Sequence, residues 1–154
     1  MNVSRVAVRT VCPVAAPTRL YHWRHRQICR LGKWRRVNVI RVELAREFML
    51  GDDVVLLAMD TAGLDTFATA INHAEEKGAW RLDHGGVIHD FRVRDGMADI
   101  ELHDDRVLWR LDRAKTVEII QDLTVLRDSG RPGHHYVDIA EPTQTLVLSR
   151  DEYV

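Results

Sequence analysis

Two groups of residues have types and spacing that chemistry could use. The first is Asp90, Glu101 and His103. The strand pairing argued below sets the two carboxylates opposite each other, with His103 on the same face. Such a set could bind a divalent metal or act as an acid/base pair. The second is His134-His135-Tyr136-Val137-Asp138. Alternation along a strand puts His134, Tyr136 and Asp138 on one side, and His135 with Val137 and Ile139 on the other. If that second side is core, His135 needs an internal partner, as a satisfied structural histidine has. His84 and His89 carry the same reading. His134 is the residue of this group that could join Asp90, Glu101 and His103 in a site.

The opposing reading is a solvated sheet face whose acids are neutralised by Arg92, Arg106 and Arg110. Other signals fail. Cys12, His22, His25 and Cys29 are spaced C-x9-H-x2-H-x3-C, unlike paired zinc knuckles. His84-Gly85-Gly86 has no G-x-S-x-G partner. There is no P-loop and no G-x-G-x-x-G. Neither cysteine has a nucleophile's context. No cofactor and no metal are therefore expected.

The elements that would position these residues read as follows. Val37 to about Phe48 alternates as a strand, and Leu50-Gly51-Asp52-Asp53 is a turn. Val54–Met59 is continuously apolar, as a strand buried on both faces would be. Asp60 or Thr61 caps a helix whose stripe is Leu64, Phe67, Ala68, Ile71 and Ala74, with Gly78 as its stop. Ala79–Leu82 is a short strand. Val87–Arg94 and Met97–His103 flank Asp95-Gly96, a two-residue hairpin signal. That hairpin would oppose Val93 with Ala98, Phe91 with Ile100, His89 with Leu102, Arg92 with Asp99, and Asp90 with Glu101. A second turn at Asp104-Asp105 opposes Leu102 with Val107, Ile100 with Trp109, Asp99 with Arg110, and Glu101 with Leu108. Both registers sort apolar side chains to one face and charge to the other, which a one-residue slip would scramble. A second helix, about Arg113 to Asp128, would bury Val117, Ile119, Ile120, Leu123 and Leu126. It ends at Gly130-Arg131-Pro132-Gly133. His134–Ile139 and Thr145–Ser149 are the last strands, and Arg150–Val154 is a short tail.

The order is ββαββββαββ. It predicts a two-layer α+β domain: a mostly antiparallel sheet of about 6–8 strands with two helices on one face. Asp60 to Gly78 and Asp112 to Gly130 have equal spacing, and an offset of 52 aligns Val55 with Val107 and Phe67 with Ile119. The halves could be a structural repeat.

Charge divides the chain differently. Residues 1–36 hold nine Lys/Arg and no acid, whereas 37–154 hold 13 basic and 23 acidic residues. The basic segment has no clean period. It reads as a solvated tail or translated leader, as a basic arm for nucleic acid with Tyr21, Trp23 and Trp34 interleaved, or as a transit peptide. Residues 37–154 are the single expected domain. They contain no cysteine, which fits a reducing cytoplasm. No apolar run reaches membrane-span length. Arg outnumbers Lys 19 to 3, consistent with a GC-rich bacterial gene.

Tandem β-α-β-β units resemble the vicinal-oxygen-chelate (glyoxalase-like) proteins, whose metal ligands project from the first and last strands of each unit. The resemblance would place Glu101 at one fourth-strand position. The matching first strands, Val54–Met59 and Val107–Leu111, carry no His or Glu, so element order alone matches.

The leading functional expectation is a non-enzymatic protein-binding module, pairing with itself or with another protein. Its face would mix Arg92, Arg106, Arg110, Asp90, Asp99 and Glu101 with apolar Ile88, Met97 and Leu108, the composition of an interface. The alternatives are a small metal-dependent enzyme using Asp90, Glu101, His103 and His134, and nucleic-acid binding through residues 1–36.

Overall fold

The structure is a computed structural model that describes residues 38–154. The expectations for residues 1–36 lie outside the described residues. The chain runs β1 (Ile40–Met49), β2 (Asp52–Met59), α1 (Thr61–Lys77), β3 (Ala79–His84), β4 (Val87–Val93), β5 (Asp99–Leu102), β6 (Arg106–Leu111), α2 (Arg113–Ser129), β7 (Gly133–Asp138) and β8 (Thr145–Arg150). This is the expected α+β class and element order.

The strands divide between two four-stranded sheets, ordered β1-β2-β8-β7 and β3-β4-β6-β5, where one continuous sheet had been expected. Each sheet is mixed, because β2 runs parallel to β8 and β4 parallel to β6. Both edges of β2 are occupied, by β1 and by β8. Helix α1 therefore carries the chain out of the first sheet and into the second, and α2 carries it back. The sheets meet where Ile100 N–H donates to the Glu141 carbonyl (3.0 Å) and Ala140 N–H to the Ala98 carbonyl (2.8 Å).

The repeat is visible in this exchange. Each half is ββαββ, and each sheet takes two strands from either half. The helix ends match as well. Asp60 caps α1 by accepting from Gly63 N–H, and Asp112 caps α2 by accepting from Lys115 N–H. Gly78 (φ 84°) and Gly130 (φ 67°) end the helices in the left-handed conformation that glycine adopts without strain.

The expected hairpin between β4 and β5 does not form. β6 lies between them, pairing parallel with β4 and antiparallel with β5. Burial explains the order: β6 buries Val107, Trp109 and Leu111, while β5 brings Asp99 and Glu101. The central position goes to the more apolar strand, and the Asp95-Gly96 signal is only local. The β5–β6 register is as expected, with Asp99 opposite Arg110, Ile100 opposite Trp109 and Glu101 opposite Leu108. The faces of β4 keep their expected sides too, because alternation survives the change of partner.

One core joins both helices to both sheets. Phe67 of α1 meets Phe91 (5.3 Å between ring centroids) and Trp109 (5.2 Å) edge-on, the favourable aromatic geometry. In α2 the buried stripe is Thr116, Ile119, Leu123 and Leu126. Val117 lies exposed instead, and Ile120 only partly buried. Thr116 tolerates burial because its hydroxyl donates to the Asp112 carbonyl at 2.8 Å.

Candidate functional site

The outer face of the second sheet carries no helix. Three rows of side chains cross it. One runs Ala79, Arg92, Arg110, Asp99; the next Arg81, Asp90, Leu108, Glu101; and the third Asp83, Ile88, Arg106. Asp90 and Glu101 thus flank Leu108 and do not oppose each other as expected, which removes the predicted like-charge contact. Arg110 sits between Asp99 (2.6 Å) and Glu101 (2.7 Å), and Arg92 reaches Asp90 at 3.2 Å. The Arg110 hydrogen bond, and then that of His103 (2.8 Å), hold the Glu101 carboxyl below its ordinary range. The bonds to Asp99 and Glu101 raise the Arg110 pKa in turn. Ion pairs this exposed contribute little to stability. They do fix the guanidinium in one orientation; Leu108 is half-buried in the next row, and Ile88 half-buried in the row beyond, beside Arg106. Met97 is 78% exposed in the connection between β4 and β5.

His134 is on the other sheet, apart from Asp90, Glu101 and His103. Its Nδ1 lies 2.5 Å from a Glu152 carboxylate oxygen, and its Nε2 is 2.9 Å from the Tyr136 hydroxyl. A carboxylate–imidazole–phenol chain can hold one tautomer and relay a proton. Here it also fastens the C-terminal tail. Tyr153 rests edge-on against Phe48 (5.3 Å), and its carbonyl accepts from Arg41. Nothing in the sequence marked Glu152 as a partner, because the contact depends on the tail turning back after β8. Asp138 is exposed on the same face. His135 is half-buried, with its Nδ1 3.2 Å from an Asp122 carboxylate oxygen of α2. Among the described residues, no three His, Cys, Asp or Glu side chains converge as metal ligands would. The first strands of the two units, β2 and β6, offer no ligand of the vicinal-oxygen-chelate type either.

His89 is a core residue, 1% exposed. Trp109 Nε1–H donates to its Nδ1 at 3.4 Å, so the neutral ring carries its proton on Nε2. Burial, and then the nearby His84, lower its pKa from 6.5 to about 4. His84 itself has Nε2 2.8 Å from the Asn38 carbonyl. The unfolded chain binds the His89 proton between pH 6.5 and pH 4, whereas the folded chain does not. Stability is therefore lost as pH falls through that window, by about 3 kcal/mol in full. Urea denaturation at pH 7 and pH 4.5 should show wild type losing about 2 kcal/mol more than His89→Leu. Equal losses would mean that His89 accepts a proton in the fold.

Compared with protein-family models, curated proteins and solved structures, this chain gives no match.

Proposed function

We propose that the chain is a non-enzymatic module that binds another protein through the open face of the β3-β4-β6-β5 sheet. The observation that carries the reading is this uncovered face. Arg92 and Arg110 are already oriented by carboxylates, Arg106 stands exposed on the same face, and Ile88 and Leu108 lie half-buried among them. A partner that covers the face gains apolar burial at its centre and charge-assisted hydrogen bonds around it, with little side-chain ordering left to do. The lack of cysteine in residues 37–154 suits work in a reducing cytoplasm.

Arg92 and Arg106 are exposed and serve the fold least, so they are the residues to change. Proteins retained by immobilised wild type would be identified, purified and titrated against Arg92→Glu/Arg106→Glu. Affinity should fall at least about ten-fold with melting unchanged. A partner bound equally by both proteins would overturn the reading, and so would failure to retain any partner.

A further inference from the structure

The strand β3 forms an outer edge of its sheet. Among the described residues, no strand pairs with its far side. Among the devices that guard edge strands are proline, lysine and bulges; charged side chains of one sign guard them too, whereas charges of opposite sign can pair across a two-fold axis. Ala79-Trp80-Arg81-Leu82-Asp83-His84 has no proline, lysine or bulge. Its two charged residues are of opposite sign and two apart. Trp80 and Leu82, on the helix side, stay half-buried beside a groove against α1 lined by Asp65, Thr69 and His73. Trp80 is flanked there by the His73 ring (4.4 Å) and the Lys77 ammonium (4.5 Å).

The backbone decides which residues can pair outward. Val93 N–H donates to the Gly78 carbonyl, so Gly78 and, by alternation, Trp80, Leu82 and His84 turn their backbone groups toward β4. Consistent with this, Ile88, opposite Asp83, gives its N–H to Asp105 on the β6 side. Ala79, Arg81 and Asp83 therefore present their N–H and C=O groups at the free edge. A second copy related by a two-fold axis normal to the sheet keeps each face on its own side, and the axis must then pass through a residue. Centred on Arg81 or Asp83, it would oppose like charges. Centred on Leu82, it sets Arg81 against Asp83 of the second copy in both hydrogen-bonded pairs. Leu82 then meets Leu82 at the close non-hydrogen-bonded position, and Trp80 faces His84.

From this self-complementarity we infer that β3 pairs antiparallel with β3 of a second copy of this chain, joining two sheets into one of eight strands. The pairing satisfies the outward backbone groups, covers Trp80 and Leu82, and makes an isologous, closed contact. It joins the sheets through the backbone of the β3 edge; Arg81 and Asp83 also border the open face, so the Arg92→Glu/Arg106→Glu variant, changed only on β4 and β6, separates this pairing from the binding reading above.

The test is sedimentation of the full chain across a concentration series. Wild type should dimerise. Arg81→Asp and Asp83→Arg should each weaken the dimer at least about ten-fold, because each replaces two attractive cross-strand pairs by two repulsive ones. The exchange Arg81→Asp/Asp83→Arg should restore it, and Arg92→Glu/Arg106→Glu should leave it intact. Both positions on β3 are exposed, so melting serves only as a folding control. A wild type monomeric at about 500 µM would overturn the inference, as would a dimer insensitive to either reversal or a double exchange that fails to restore it.

Discussion

Gly63→Ala is expected to destabilise the domain by about 3 kcal/mol or more. Position 63 is in the first turn of α1, where alanine would normally gain about 1 kcal/mol over glycine in helix propensity. The sign is reversed by what lies beside it. An added Cβ would come within 1.8 Å of the Val39 carbonyl oxygen and 2.7 Å of its carbon. Those are backbone atoms, and they are tied in place. Asp60 N–H donates to that same carbonyl (3.2 Å). The Asp60 carboxylate accepts from both Val39 N–H (3.0 Å) and Gly63 N–H (2.6 Å). One capping residue thus stitches the approach to β1 onto the start of α1, and only a glycine leaves room for the seam. Urea denaturation measures the effect. A neutral or stabilised Gly63→Ala would show that the Val39 segment is not held against the helix.

Arg150→Met should lower stability by about 3 kcal/mol, or about 10 °C in melting temperature. Arg150 ends β8 and is 7% exposed. Its guanidinium donates to the Leu126 (2.9 Å) and Arg127 (3.0 Å) carbonyls at the C-terminus of α2, to the Thr61 hydroxyl (3.0 Å) at the start of α1, and to Asp151 (3.1 Å). Thr61 in turn donates to Asp151 at 3.0 Å. Carbonyls at a helix end have no partner within the helix, and leaving them buried without one is costly. Methionine keeps the length and the apolar stem, so the loss reports the hydrogen bonds. Arg150→Lys should recover less than half of it, since one ammonium cannot match the forked donors. Calorimetry of the two variants decides. If lysine behaves like arginine, then charge matters here and the fork does not.

The sequence made no mention of either residue's task, for different reasons. Gly63 reads as an ordinary weak spot in a helical pattern, since a close approach from 24 residues away has no local signature. Arg150 reads as the first charge of a tail. Its role exists only because β8 ends where the C-terminus of α2 and the N-terminus of α1 come together. The Glu152–His134 contact was hidden in the same way. Even so, much of the open face was legible. Ile88, Asp90, Arg92, Asp99, Glu101, Arg106, Leu108 and Arg110 share one face, as alternation and the Asp104-Asp105 turn required. Their grouping depends on a period of two that every strand obeys. The neighbours of Asp90 depend on which strand lies alongside, and there the local Asp95-Gly96 signal misled.

Taken alone, the amino-acid order determined the element types, the glycine stops of both helices, the core-facing sides of β4, β5 and β6, and the β5–β6 register. All of these follow from local periodicity and short-range turn chemistry. The tertiary structure decided the division into two sheets, the insertion of β6 between β4 and β5, and the parting of His134 from Asp90, Glu101 and His103. Those outcomes depend on competition among strands for central, doubly paired positions. That competition is settled by how much apolar surface each arrangement buries, a sum over residues far apart in the chain that no window of sequence contains.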